Sequence, residues 1–591
     1  MLVCQKLKMM HSSMDLKYLI IVFLFSLILS AQKNQTEDDL GTQEVTVVKS
    51  YRPNLKNVFK ISSIPEIADS LIQKKQKVNY TFKSVPVIST FIPNKATPLK
   101  LKRQKVNRFH NSYISGGIGI QSEMLMNFSS MISLDRYQSA GLSLRYNSLG
   151  GIPGTIMEST EKRLTLNMLH QYKERNMRVD SDLRFDSQRH NFYGLKDIKW
   201  ENIPSFRASV VNPLQRLNYV TLRSKWQWYD NALSKLNFNT HITTDYFDST
   251  EHIININALL RIPMFGNYLE LIPDFELINS NFNRGYYIDE PLAFKNALTQ
   301  LKTQFLNVGR RLNFRAGING FIFSNSQSKF KLYPIAELTY KSSNGKIIPF
   351  FNYKGGYKLN SFTSLSLINP YVAPMLDIQT TEVDQDINLG FDAYPSSGLS
   401  LKMVAIYCKF TDYPMFLRFP YDNFNNDISF RLGNSYGVIY DAIEKKGMST
   451  SISINLSEFN RVSLITSYFD YKRHNDEPVW NTPSLTIDIN GNFKLGQKLF
   501  FQFTGNYISS RDVADHIITS NELSEKSTLL QDKLGSMFST SLSVTWKINS
   551  EWDLFYRNNI FYGNVTSRWA HYQNQTQLNL LGIRHKFDIN L

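Results

Sequence analysis

The chain has 591 residues, 42% of them hydrophobic and 13% aromatic, with 66 Lys and Arg against 50 Asp and Glu for a formal net charge of +16. Mean hydropathy is −0.29 and a single apolar run stands out, which excludes a bundle of membrane-crossing helices, each of which needs about 20 apolar residues. The two cysteines are Cys4 and Cys408, so no disulfide framework or cysteine-rich metal centre is expected within one mature chain.

The apolar run extends from Tyr18 to Leu29, follows Lys17 and ends in Leu29-Ser30-Ala31-Gln32. A basic flank, a short apolar stretch and small residues at its end read as a secretory signal peptide over residues 1–31, cleaved after Ala31. Residues 32–110 form an N-terminal extension and linker. Within it, Glu44-Val45-Thr46-Val47-Val48 is rich in β-branched residues and suits an extended conformation. Lys95, Lys100, Lys102, Arg103, Lys105 and Arg108 make an acid-free basic stretch, which reads as a solvated linker. Elsewhere the cations are dispersed over polar alternate positions, so the net charge does not point to nucleic acid.

From Asn111 to Leu591 one pattern repeats. Leu236, Phe238, Ile242 and Tyr246 alternate with Asn237, Asn239, His241 and Asp245. Val383, Ile387, Leu389, Phe391 and Ala393 alternate with Asp384, Asp386, Asn388 and Asp392. Similar runs cover 485–494, 499–507 and 538–548. Side chains on a strand alternate between faces, so each run has one apolar and one polar face. The final residues follow suit: Ile583, His585, Phe587, Ile589 and Leu591 share one face, Arg584, Lys586, Asp588 and Asn590 the other. A terminal strand of this kind closes an outer-membrane β-barrel.

Short turns are expected at Leu134–Gln138, Glu174–Met177, Asp230–Ser234, Pro263–Asn267, Gly309–Arg311, Lys341–Lys346, Pro395–Gly398, Ser457–Arg461, Leu495–Lys498 and Asn549–Glu551. Longer loops fall between them, among them Arg189–Gln215, Asn360–Glu382, Thr411–Ser435, His474–Pro483, Ser509–Lys533 and Gly563–Thr576. Ten short turns plus a strand at each end predict an all-β, antiparallel transmembrane barrel of about 22 strands, short turns towards the periplasm. Its lipid face makes the outer-membrane lipids a partner and the bacterial cell outer membrane the expected location.

No catalytic set is evident. The histidines are scattered without metal-binding spacing, no Walker loop or Gly-x-Ser-x-Gly elbow occurs, and Ser115-Gly116-Gly117-Ile118-Gly119 lies in the first strand. Neither enzyme chemistry nor a cofactor is expected. Inward charges such as Asp384, Asp386, Asp488, Arg584 and Lys586 read as lumen residues, and Tyr340, Trp546 and Trp552 as interfacial anchors.

A barrel of about 22 strands behind a periplasmic extension resembles the TonB-dependent receptor family. Val479-Trp480-Asn481-Thr482-Pro483 is similar to that family's Trp-x-x-Pro loop, and Gly505-Asn506-Tyr507 with Ser509–Arg511 is similar to its strand ending near Gly-x-Arg. Glu44, Val45, Thr46, Val47 and Val48 resemble a TonB box, which implies a TonB-type energy transducer as partner through strand addition. The residue usage and the Ala-Gln cleavage point resemble Bacteroidetes outer-membrane proteins. Family members carry a plug of well over a hundred residues, whereas Gln32 to Asn111 offers about 80. The lumen is therefore expected to be filled by inward-folded loops such as Arg189–Gln215 or Thr411–Ser435, by the N-terminal segment, or by a plugging lipoprotein or other outer-membrane protein. The resemblance implies a barrel that passes or gates a polar solute; the alternative is a non-transporting structural or assembly subunit of an outer-membrane complex.

Overall fold

The computed structural model describes residues 77–81, 110–195, 211–286, 290–324, 329–420, 428–516, 529–562 and 568–590. The chain divides into two units, Met1–Leu101 and Lys102–Leu591, and everything below concerns the second.

In chain order the strands are β1 (Ser112–Gly119), β2 (Met124–Ser133), β3 (Gln138–Leu149), β4 (Glu161–Lys173), β5 (Met177–Asn191) and β6 (Leu214–Trp228). They continue with β7 (Leu233–Thr244), β8 (Thr250–Met264), β9 (Asn267–Phe282), β10 (Leu292–Val308), β11 (Leu312–Ser324) and β12 (Lys329–Tyr340). Next come β13 (Ile347–Leu359), helix α1 (Phe362–Ile368), β14 (Thr380–Ser396), β15 (Leu399–Arg418), β16 (Tyr436–Asn455), β17 (Arg461–Arg473) and β18 (Leu485–Leu495). The last are β19 (Leu499–Ile508), β20 (Arg511–His516), β21 (Leu529–Leu534), β22 (Met537–Lys547), β23 (Trp552–Tyr562) and β24 (Gln577–Phe587). Strands β20 and β21 pair only with each other; the remaining 22 form one antiparallel sheet. The sheet closes on itself because β24 pairs with β1, from Ser112 opposite Phe587 to Gly119 opposite Leu580.

All ten short turns fall at one end of this barrel, each two to six residues long, and the longer connections at the other. The alternation seen in the sequence sorts the side chains. On β8 to β12 the outward residues Ile256, Phe275, Leu301, Ile318 and Leu332 are large, apolar and exposed. In water so continuous an apolar girdle would be unstable, whereas hydrocarbon solvates it. The inward residues pair with one another: Glu270 takes Arg261 at 2.6 Å and Gln304 at 2.7 Å, and Asp186 takes Arg163 at 2.6 Å and Arg184 at 2.8 Å. Asp386 meets Lys354 at 3.3 Å, Asp384 accepts from the Thr411 hydroxyl at 2.9 Å, and Asp488 accepts from Asn506. Arg584 and Lys586 reach Asp553 at 3.6 and 2.7 Å. Tyr340, Trp546 and Trp552 are exposed on the outer side near strand ends.

The seam between β24 and β1 depends on glycine. Gly582 faces Gly117 across it, and a Cβ on Gly582 would sit against the Phe555 ring and 2.6 Å from the Gly116 carbonyl oxygen. Gly582→Val therefore forces the two strands apart. The expected result is loss of the compact, fast-migrating form of the barrel in unheated SDS gels, while Gly116→Ala, in the same seam but with open space around its Cβ, keeps it.

Register irregularities gather at the loop-side ends of β13, β14 and β15, at Lys354/Gly356, Val383/Gln385 and Phe410/Tyr413. The ladder between β12 and β13 runs for four pairs only, Ala336 to Thr339. Bulges bend the strand that carries them. Beyond the bulge, Tyr357 of β13 packs against Phe321 of β11 and Tyr333 of β12 with ring centroids 5.6 and 6.1 Å away.

Candidate functional site

Twenty-two strands about 4.8 Å apart and tilted by about 40° enclose a ring roughly 40 Å across, too wide for wall side chains to meet. At the loop end they do not need to. The connections after β5, β9, β13, β15 and β23 fold towards one another and share a hydrophobic core that includes Phe192, Tyr193, Tyr286, Phe362, Leu365, Tyr371, Phe430, Trp569 and Tyr572. Phe192 and Phe430, from connections ten strands apart in a ring of 22, lie 6.4 Å apart between centroids. Tyr371 stacks on Tyr572 at 3.4 Å and 14°, and Tyr193 meets the Tyr572 ring edge-on at 5.0 Å.

Local chemistry fixes each piece. Ser361 caps α1 reciprocally with Ser364, at 3.0 and 3.1 Å, as short helices require at their unsatisfied amino ends. The Glu251 carboxylate at the rim of β8 accepts from the Phe362 and Thr363 amides at 2.7 and 2.8 Å and from the Ser280 hydroxyl at 2.7 Å. A negative charge there also suits the helix dipole. Two fully buried arginines donate to carbonyls of other loops: Arg418 to Gly194 at 3.0 Å, and Arg431 to Gly285 at 2.6 and 3.1 Å. Asn434 donates to the Phe192 carbonyl at 2.6 Å, and the Tyr572 hydroxyl to the Asn434 carbonyl at 2.5 Å. Gly194 admits the Tyr572 ring, whose Cζ would lie 2.6 Å from a Cβ there. Burial holds the Tyr371 and Tyr572 phenols well above the usual tyrosine range, so both stay neutral.

A neighbouring connection holds a carboxyl raised towards neutrality. Burial pushes the Asp245 carboxyl, in the connection after β7, up to about 6, against the pull of bonds from Ser249, Gln215 and Phe247. A folded value above the unfolded one means the folded loop binds the proton more tightly. That contribution is fully present below about pH 4 and is lost as pH rises through 6, about 3 kcal/mol in all. Asp245→Asn is expected to flatten the difference in thermal stability between pH 4.5 and 7.5 relative to the native chain; an unchanged difference would place the titration elsewhere.

A cavity of about 380 Å³ adjoins the loop cluster, lined in part by Lys358, Tyr413, Trp480, Asn481, Arg511, Arg568 and Trp569. The 479–483 segment thus forms a wall here: Trp480 is buried, and the Asn481 side chain donates to the Phe416 carbonyl at 3.0 Å. Burial first, then the neighbouring Arg568, push Arg511 down to about 10.

Of the residues singled out in the sequence, Ile583, His585 and Phe587 lie in β24 opposite Gly116, Ile114 and Ser112. Ile589 follows, exchanging two hydrogen bonds with the Asn111 side chain at 2.7 and 2.9 Å. Leu591 and the segment Glu44, Val45, Thr46, Val47, Val48 lie outside the described residues. Among the described residues no group of three or more His, Cys, Asp or Glu could hold a metal. The aromatic loop core was not anticipated residue by residue, although Pro370-Tyr371-Val372-Ala373-Pro374-Met375-Leu376 and Trp569-Ala570-His571-Tyr572 are too apolar for loops in water.

No family model matches the sequence, and no curated protein matches it. Solved structures do. The FrpB iron transporter from Neisseria meningitidis (F3-3 variant) matches with a TM-score of 0.58 at 10% identity over 82% of each chain. The fold is that of the TonB-dependent receptor barrel. The siderophore receptor PirA from Acinetobacter baumannii gives 0.58 at 11% identity, covering 82% of this chain and 81% of its own. The ferripyoverdine receptor of the outer membrane of Pseudomonas aeruginosa gives 0.56 at 11%, covering 82% and 73%. At such identities the likeness is one of fold.

Proposed function

We propose that the chain is a gated outer-membrane conduit for a polar solute, whose outer mouth is capped by its own loops. The observation that carries this reading is the pair of contacts across the ring, Phe192 to Phe430 and Tyr371 to Tyr572, above a wall lined with ion pairs and amides. A barrel of this width left open would breach the membrane barrier. Loops, unlike strands, can open locally without unfolding the barrel. The solved structures of the same fold are named as transporters and receptors, which supports passage rather than catalysis. In this reading the 32–110 segment is periplasmic, and Glu44–Val48 add a strand to a TonB-type transducer that supplies the opening energy. Deleting Glu44–Val48 should then abolish energised opening; full function after the deletion would remove that partner.

A second reading has its own observation. Arg418 and Arg431 are locked into carbonyl acceptors inside the loop core, a costly arrangement for something meant to move. In that reading the barrel is a permanently sealed assembly subunit, docking a lipoprotein or another outer-membrane protein. Single-channel recordings on the chain purified alone separate the two. The conduit gives brief, infrequent openings that multiply under voltage. A barrel silent at every voltage and isolated with stoichiometric partners favours the scaffold.

A further inference from the structure

The barrel wall is unzipped along one edge of β12. From Lys329 to Ile335 that strand keeps its ladder with β11, but its ladder with β13 stops at Ala336, opposite Tyr353. Strand β13 runs on to Leu359 paired with β14. Towards the loops it passes on the lumenal side of β12 instead of beside it. A Cβ on Gly355 would lie 2.5 Å from the Tyr333 ring, and one on Gly356 2.5 Å from the Phe321 ring. Two glycines in a row permit so close an overlap. The outer side of the same stretch is apolar: Ile318 and Ile322 of β11 and Phe330 and Leu332 of β12 are each 51–64% exposed. Hydrocarbon therefore reaches the height of the opening. A strand edge there carries N–H and C=O groups that lipid tails cannot satisfy.

On the lumenal side the opening meets a cleft of about 610 Å³, a size that suits a small ligand. Lys295 and Lys331 bring cations to its lining and Glu382 and Asp412 bring carboxylates. Phe323 and Tyr357 add stacked rings, 6.2 Å apart at 12°. The lining is balanced in charge, with Lys331 held by Glu382 at 2.5 Å.

We infer that this opening holds a zwitterionic phospholipid, its chains against Phe330 and Leu332 in the membrane and its head in the cleft. A lining of both signs suits a head of both signs and penalises a head of one. The phosphate meets the exposed Lys295, and the ammonium meets the carboxylates and the Tyr357 ring. Ester and phosphate oxygens accept from the open edge of β12. The assignment concerns the wall, so it holds whether the lumen conducts or is sealed.

The test is photolabelling of the full chain in phosphatidylglycerol nanodiscs that contain a trace of probe lipid with a diazirine beside one ester. The phosphatidylcholine probe should label the lumenal segments around Tyr357 and Glu382 and leave Asn167 and Arg184 on the far wall unlabelled. A phosphatidylglycerol probe should label the cleft at least about tenfold less. Lys295→Glu, a change at an exposed side chain, should cut cleft labelling by the choline probe at least about tenfold. Labelling at Phe330 and Leu332 and mobility on unheated gels should not change. Label confined to the outer face, equal label on the far wall, equal labelling by the two heads, or a Lys295→Glu chain that labels like the native one would each overturn the assignment.

Discussion

Replacing Tyr371 and Tyr572 together by alanine should turn a closed barrel into an open one. These two rings are the stacked contact between the connections after β13 and β23, eight strands apart in the ring. Tyr193 leans on both, at 6.2 and 5.0 Å, and the Tyr572 hydroxyl ties in the connection after β15 through Asn434. Each large aromatic removed from a packed core costs about 3–5 kcal/mol. The pair is in contact, so the losses do not add, but the total still exceeds about 5 kcal/mol. That is comparable with the whole stability of an ordinary domain and far above what a local loop cluster withstands. Cells making the variant should become sensitive to vancomycin, and the purified protein should conduct steadily in bilayers. Tyr572→Phe, which removes one hydroxyl and about 1 kcal/mol, should stay closed. A double variant as impermeable as the native chain would mean that something other than these loops fills the lumen.

Glu251→Ala has the second largest expected effect. The carboxylate is fully buried and satisfies three donors, the Phe362 and Thr363 amides and the Ser280 hydroxyl. Alanine leaves them all unpaired in a dry site, at about 1–3 kcal/mol each. Helix α1 has seven residues, too few to persist without tertiary support, so it should detach while the barrel stays intact. Hydrogen exchange should show protection of the 362–369 amides falling by at least a hundredfold, with the strand amides of β8 to β10 unchanged. Glu251→Gln keeps one acceptor and should fall between. Retained protection at 362–369 in the alanine variant would show that packing of Phe362 and Leu365 alone holds the helix.

The barrel was legible in the sequence because lipid on one side and a polar lumen on the other write a period of two into every strand. Strands such as 538–547, with Phe538, Leu542 and Trp546 outward and Ser539, Ser543 and Lys547 inward, could be assigned from that period alone. The ten short turns could be counted because a tight turn needs few residues of restricted type. The loop core was not legible, since contacts such as Phe192 with Phe430 join residues 238 positions apart and carry no periodic signal. Its trace was compositional: Tyr371 to Leu376 and Trp569 to Tyr572 are too apolar for water. The cavity beside the loop core shows the same limit: Lys358, Arg511 and Arg568 are scattered along the sequence, yet all three line it.

Swelling of proteoliposomes in a sugar such as stachyose tests the capped conduit most directly. The native chain should admit it slowly, and a chain whose connections 192–213 and 419–435 are replaced by short turns should admit it at the rate of an open pore of the same width. Equal slow rates for the two, with both barrels folded, would contradict the account.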